Sequence, residues 1–173
     1  PGASIIYNLI SSKTVPEVIA ENGGIGIRSR VGHSYIKSTM AQTGAVFGGE
    51  HSGHFYFNDF WRADSGMLAA LYALAELMAS NLSLSELLKP YNRYVSSGEI
   101  NTKVKDVTKS ISRVRDKYHG EYQVDELDGL TITADTWWFN LRPSNTEPLL
   151  RLNVEADTEK EMIKIRKAVL ALI

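Results

Sequence analysis

Residues 48–54 read Gly48-Gly49-Glu50-His51-Ser52-Gly53-His54, four polar groups among three glycines. Glycines remove side-chain bulk and let the backbone approach a ligand closely. In an extended loop Glu50 and Ser52, two positions apart, point the same way. A carboxylate accepts from two neighbouring hydroxyls at once, and a serine hydroxyl donates or accepts. That pair suits a vicinal diol, and therefore a sugar, with Gly49 letting the ring come near. His54 adds a group that moves a proton near neutral pH. Two readings compete. One is a glycine turn with solvated polar residues. The other is a metal site built on His51-x-x-His54 with Glu50, but histidines three apart in a glycine loop are not a preformed helical pair, and no further ligand is obvious. No metal ligand is therefore assigned in this chain.

Residues 142–148 read Arg142-Pro143-Ser144-Asn145-Thr146-Glu147-Pro148. Arg142 offers a planar fork of donors that matches phosphate or carboxylate. Ser144 and Thr146 add hydroxyls, Asn145 adds an amide, and successive backbone N–H groups in a tight turn form an anion nest. The competing reading is a proline-stiffened turn of ordinary turn residues. A third candidate is His33, in Val31-Gly32-His33-Ser34, which either faces the same cleft as His54 or, with Ser34, merely caps a helix. Asp64 and Ser65 read as a helix N-cap. Of Trp137 and Trp138, strand alternation sends one to the core, and neither is assigned to a ligand.

These residues need elements to hold them. Residues 4–10 and 25–28 read as short strands, and residues 45–47 as a third that runs into the glycine loop. Helices are expected from Pro16 to before Gly23, over 34–43 and over 65–80, with Met67, Leu68, Leu71, Leu74, Ala75 and Met78 at helical spacing. Ser83-x-x-Glu86 is a capping box that opens another. Strand and helix alternate, which predicts an α/β domain with a parallel sheet, and ligands of such sheets bind at the carboxyl ends of the strands. Residues 95–100, with Ser96-Ser97-Gly98, read as a linker. Residues 101–118 are polar and weakly helical. Strands over 130–133, 137–141 and 149–154, then a helix capped by Asp157 or Thr158, predict a small α+β domain. The expected division is 1–94, a 95–100 linker, and 101–173.

The chain has 173 residues, 19 Lys plus Arg against 20 Asp plus Glu, and a net charge of −1, with 43% apolar and 23% charged residues and no Cys. That composition belongs to a globular chain. The charge balance argues against a broad nucleic-acid surface, and no run is long and apolar enough to span a bilayer. Without Cys there are no disulfides, thiolate zinc sites or Cys nucleophiles. This fits a reducing cytoplasm, which is the expected location. The chain starts Pro1-Gly2-Ala3 and runs at once into a strand, so it is read as cut from a longer one.

Together, three segments resemble a known family. Residues 49–54 resemble the sugar-recognition loop of the α-D-phosphohexomutases, the bacterial phosphomannomutase and phosphoglucomutase enzymes. Residues 142–148 resemble that family's C-terminal phosphate loop, and Gly32-His33-Ser34-Tyr35-Ile36-Lys37 its segment with a second active-site histidine. The resemblance spans nearly the whole chain and implies the third and fourth of four domains, the third clipped at its start. It implies interconversion of hexose 6-phosphate and hexose 1-phosphate through a phosphoserine and a bisphosphorylated sugar. Gly49, Glu50 and Ser52 would then hold the sugar, His54 and His33 would transfer protons or position phosphate, and Arg142, Ser144, Asn145 and Thr146 would hold the phosphate not in transfer. The family's phosphoserine loop and its Asp-Gly-Asp magnesium loop have no counterpart here. Asp125-Glu126-Leu127-Asp128-Gly129 resembles a turn. Mg2+ and the phosphoserine are thus expected in N-terminal domains absent from this chain, and the half alone is expected to be inactive. A non-catalytic phosphosugar-binding module and a zinc hydrolase built on His33, His51 and His54 remain the alternatives.

Overall fold

The computed structural model describes residues 1–144 and 147–173, which form two units, Pro1–Arg93 and Tyr94–Ile173. Asn145 and Thr146, two of the expected phosphate ligands, lie outside the described residues.

In the first unit β1 (Ser4–Asn8), β2 (Ile25–Ser29) and β3 (Phe47–Gly49) run parallel. Two short antiparallel strands, β4 (Phe55–Phe57) and β5 (Ala63–Asp64), extend the sheet to the order β2-β1-β3-β4-β5. The sheet is therefore mixed. The expected parallel part is present, and the added hairpin follows from the glycine loop, which reverses the chain after β3. α1 (Thr14–Glu21) and α2 (His33–Thr43) connect the parallel strands. Ile36 and Met40 of α2 pack with Ile6, Ala45 and Tyr56 in one buried cluster. α3 (Gly66–Ser80) is capped by the Ser65 hydroxyl, which accepts the Leu68 N–H at 3.2 Å. α4 (Leu84–Leu88) carries the expected Ser83–Glu86 capping box. The apolar stripe of α3 does not make it a core helix in this unit. None of its residues is buried, and Met67 and Met78 are 78% and 82% exposed.

The second unit is an antiparallel sheet in the order β6-β10-β9-β8-β7. Its elements are β6 (Val95–Lys103), α5 (Val107–Tyr118), β7 (Gln123–Asp125), β8 (Leu130–Thr133), β9 (Trp137–Pro143), β10 (Leu149–Ala156) and α6 (Glu159–Leu170). Alternation splits β9 into two faces. Trp137, Phe139 and Leu141 join Leu152, Val154 and residues of α5 and α6 in the apolar core. Trp138, Asn140 and Arg142 are buried on the other, polar face. Each fully buried apolar side chain contributes roughly 1.5–3 kcal/mol.

Residues 95–100, expected as a linker, are part of β6 and pair with β10. Their Ser-Ser-Gly composition serves a β-bulge. The register shifts between Asn153 and Glu155, Gly98 has φ +66°, and the Val154 N–H donates to Ser97 Oγ at 3.0 Å. A bulge of this kind uses the same residues as a flexible connection.

Candidate functional site

Three connections at the carboxyl ends of β1, β2 and β3 bring the first cluster together. The chain leaves β3 into a tight turn. Glu50 N–H donates to His54 O at 2.9 Å, Gly53 N–H donates to Glu50 O at 3.0 Å, and Gly53 has φ +85°. The turn is not extended, so the strand-like alternation expected to align Glu50 with Ser52 does not apply. Glu50 is buried, whereas His51 and Ser52 are exposed. The Glu50 carboxylate accepts the Tyr56 hydroxyl at 2.7 Å on Oε1, and on Oε2 the Gly32 N–H at 2.9 Å and Asn8 Nδ2 at 3.4 Å. Ser11 in turn donates to Asn8 Oδ1 at 2.9 Å. This carboxylate thus ties β1, the start of α2 and β4 into one network. Gly49, Glu50 and His51 also border a cavity of about 520 Å3 together with Tyr7, Ser11 and Phe47.

His33 and His54 are neighbours. Their ring centroids lie 4.3 Å apart at 63°. His33 does not cap α2: the N-cap is Gly32, with no side-chain capping bond. Instead His33 Nδ1 meets Tyr56 Oη at 2.7 Å. His54 Nδ1 meets Asp64 Oδ2 at 2.6 Å, and the other Asp64 oxygen accepts the Phe55 N–H at 2.9 Å. The expected N-cap pair is therefore divided: Ser65 caps α3, and Asp64 serves His54. Burial pushes the Asp64 carboxyl up, but the bonds from His54 and Phe55 and the charges of His54 and His33 outweigh it and hold the carboxyl below its usual value. Burial first, then the bond and charge of Glu50 and the charge of Asp64, push the Tyr56 phenol far up. It stays a neutral hydroxyl at physiological pH. His33, His54 and Asp64 place one ligand atom each within 4.8 Å of one another, and His51 is not among them.

In the second unit Arg142 is buried on the polar face of the sheet. Its Nη2 donates to Glu99 Oε2 at 3.1 Å. Arg151 Nη1 lies 3.6 Å from Glu99 Oε1, and Arg151 Nη2 donates to Ser144 Oγ at 3.5 Å. Among the described residues the Nε atoms of both arginines are buried without an acceptor. Two arginines, one carboxylate and spare buried N–H groups leave a local positive excess that suits an anion. Trp138 does not face this group with a free donor, because its Nε1–H goes to Glu155 Oε1 at 2.8 Å.

Sequence reasoning named Glu50, His33, His54, Arg142 and Ser144 but missed Asn8, Tyr56, Asp64 and Glu99. Asp64 read as a helix cap and Glu99 as part of a linker. Asn8 and Tyr56 are strand residues whose polar ends carry no local signal.

Comparison with known proteins gives the family of this two-unit fold. Residues 1–94 match the model for phosphoglucomutase/phosphomannomutase alpha/beta/alpha domain III, and residues 99–172 match the model for the C-terminal domain of the same proteins. The chain belongs to the phosphoglucomutase/phosphomannomutase family, the α-D-phosphohexomutases, and corresponds to its C-terminal half. A phosphomannomutase of Methanocaldococcus jannaschii is 49% identical over 160 residues, which is 92% of this chain and 35% of that protein. A phosphomannomutase of Escherichia coli K12 is 38% identical over 96% of this chain and 37% of its own length. A crystal structure of a phosphoglucomutase/phosphomannomutase family protein from Burkholderia thailandensis superposes with a TM-score of 0.84 at 30% identity, covering 99% of this chain and 37% of that one. The chain spans little more than a third of the length of the curated relatives it matches. Among the described residues no single helix is long and apolar enough to cross a membrane.

Proposed function

We propose that this chain supplies the sugar- and phosphate-holding part of a cytoplasmic phosphohexomutase that interconverts hexose 6-phosphate and hexose 1-phosphate, with mannose phosphates the foremost substrates and glucose phosphates the alternative. The observation that carries this reading is the pair of imidazoles from two separate connections, 4.3 Å apart at the end of the parallel strands. Each has its Nδ1 held by an oxygen of the hairpin beside it.

In the reaction a sugar hydroxyl attacks the phosphorus of a phosphoserine outside this chain. The new O–P bond forms as the serine O–P bond breaks. His54, with His33 beside it, takes the hydroxyl proton, while the serine oxygen takes one from solvent. In the second half the other sugar phosphate returns to serine, which gives up its proton. The histidine then protonates the sugar oxygen that is released. Gly49, Ser52 and the remaining lone pair of Glu50 hold sugar hydroxyls. Arg142, Ser144, Asn145 and Thr146 hold the phosphate not in transfer. Such a reaction draws most of its rate from positioning and charge stabilisation.

Magnesium does not fit the described residues. Mg2+ demands oxygen ligands in octahedral geometry, and the His33–His54–Asp64 group offers two nitrogens. At the other acidic segment Asp125 Oδ1 accepts the Leu127 N–H at 2.8 Å, as in a turn. Any Mg2+ site belongs to the N-terminal domains, which are the proposed partners together with the phosphohexose. The test assays the full-length protein and the 173-residue chain with mannose 1-phosphate and glucose 1-phosphate, each primed with the sugar bisphosphate. Turnover by the full-length protein alone is expected. Inactivity of the full-length protein, or robust turnover by the chain, overturns the reading.

A further inference from the structure

The hydrogen bonds around the two histidines determine where their protons sit. Asp64 Oδ1 accepts the Phe55 N–H, and Oδ2 meets His54 Nδ1 at 2.6 Å. An ionised carboxylate only accepts, so the proton in that contact belongs to His54 Nδ1. The Tyr56 hydroxyl has one hydrogen, and it goes to Glu50 Oε1 at 2.7 Å, because Glu50 is also an acceptor only. The Tyr56 oxygen is thus an acceptor toward His33, 2.7 Å away, and His33 likewise carries its proton on Nδ1. In a neutral imidazole the other nitrogen is then bare.

We propose that Asp64 and Tyr56 are positioning residues that lock His54 and His33 in the same tautomer, Nδ1–H, so that each ring keeps Nε2 unprotonated to receive a hydroxyl proton. The inference rests on the phosphohexomutase reading for what that proton comes from, but the tautomers themselves do not depend on it. The two anchors are built differently. Asp64 is held by strand pairing, being opposite Tyr56 in the β4–β5 register and bonded to the Phe55 N–H. Tyr56 is fully buried, and Glu50 fixes its hydroxyl. Glu50 therefore acts at one remove on His33, and its carboxylate sets which way the Tyr56 hydrogen points.

Two substitutions separate the anchors. In Asp64→Asn the amide oxygen is needed by the Phe55 N–H, so the NH2 faces His54 Nδ1 and donates to it. That forces the proton of His54 to Nε2, and a base in the wrong tautomer loses its function. In Tyr56→Phe the ring still fills its site, and His33 merely loses its acceptor.

The test is nitrogen NMR on 15N-histidine-labelled chain, which has 4 histidines, at alkaline pH without substrate. The expected spectrum shows Nδ1–H with bare Nε2 for both His33 and His54. Asp64→Asn should switch His54 alone to Nε2–H, and Tyr56→Phe should turn His33 alone into a mixture. In the full-length protein Asp64→Asn should lower kcat by about 10²–10⁴-fold, the range for a lost general base, with KM little changed. An Nε2–H signal in either native ring, or an unchanged His54 in Asp64→Asn, overturns the proposal whatever the enzyme turns over. Full turnover by Asp64→Asn overturns the positioning role and leaves the mutase reading standing, and an inactive wild-type full-length protein does the reverse.

Discussion

Arg142 stands directly across the sheet from Arg151, as partners in the β9–β10 register. Like charges opposite each other on one face destabilise a sheet. Here a single carboxylate, Glu99 on β6, spans both guanidinium groups, at 3.1 and 3.6 Å. One negative charge against two positive ones leaves room for an anion, and the buried Nε atoms, without an acceptor among the described residues, point to the same need. Glu99 both holds the arginines and competes for them.

Replacing Glu99 by Gln should therefore tighten binding of inorganic phosphate to the chain roughly tenfold, since a unit charge a few ångströms from an anion near a protein surface is worth on the order of 1–3 kcal/mol. Calorimetric titration at low salt measures it. Weaker binding in Glu99→Gln would show that Glu99 only organises the arginines, and the advantage should fade at high salt.

Gly129 has φ +71°, and a Cβ built there comes within 2.6 Å of Arg142 Cβ and Leu141 O. Strain in that region costs about 1–3 kcal/mol, and the clash with backbone cannot relax cheaply. Gly129→Ala should lower the denaturant midpoint of the second unit and disturb Arg142. Gly120→Ala, with φ +86° and open space around its Cβ, should cost only the strain. Equal midpoints for the two variants would discount the contact.

Legibility in the sequence followed how local each cause was. The Ser83–Glu86 box and the Thr158 cap lie within four residues of what they bind; the box stands as expected, and of Asp157 and Thr158 it is Thr158 that caps α6, by one bond from the Glu161 N–H. Strand alternation around Trp137 and Trp138 sorted one indole to the core and one to the polar face. Misreadings arose where one composition serves two structures. Ser96-Ser97-Gly98 makes a bulge and not a linker, and the β3–β4 glycines make a tight turn and not an extended loop. The apolar stripe of α3 predicted its helix but not its packing. Among the site residues, those clustered in the two motif loops were found. Tyr56 and Glu99 were not, because their roles exist only through pairing across strands.

Glu50 accepts three donors on two oxygens. Glu50→Gln has one oxygen and an NH2, so it leaves at least one buried donor facing another. The expected loss is about 1–3 kcal/mol, read as faster hydrogen exchange confined to the first unit. Unchanged exchange there would show that solvent or a rotated Tyr56 hydroxyl repairs the network.

Asp106 caps α5, its Oδ1 accepting the Lys109 N–H at 3.0 Å. That backbone bond, helped by the Lys109 side chain 3.4 Å away, outweighs burial and holds the carboxyl below its ordinary 3.8. A carboxyl depressed on folding binds fewer protons in the native state than in the unfolded one, so stability rises with pH across that interval. Its contribution is complete above the ordinary value and is lost as pH falls through the lower folded value. Asp106→Asn keeps a good capping side chain but cannot titrate. The stability difference between wild type and Asp106→Asn in urea should be flat from about pH 7 to 5 and shrink below about pH 4, the unfolded carboxyl range. A difference that stays constant down to pH 2 would mean that the cap does not depend on the charge.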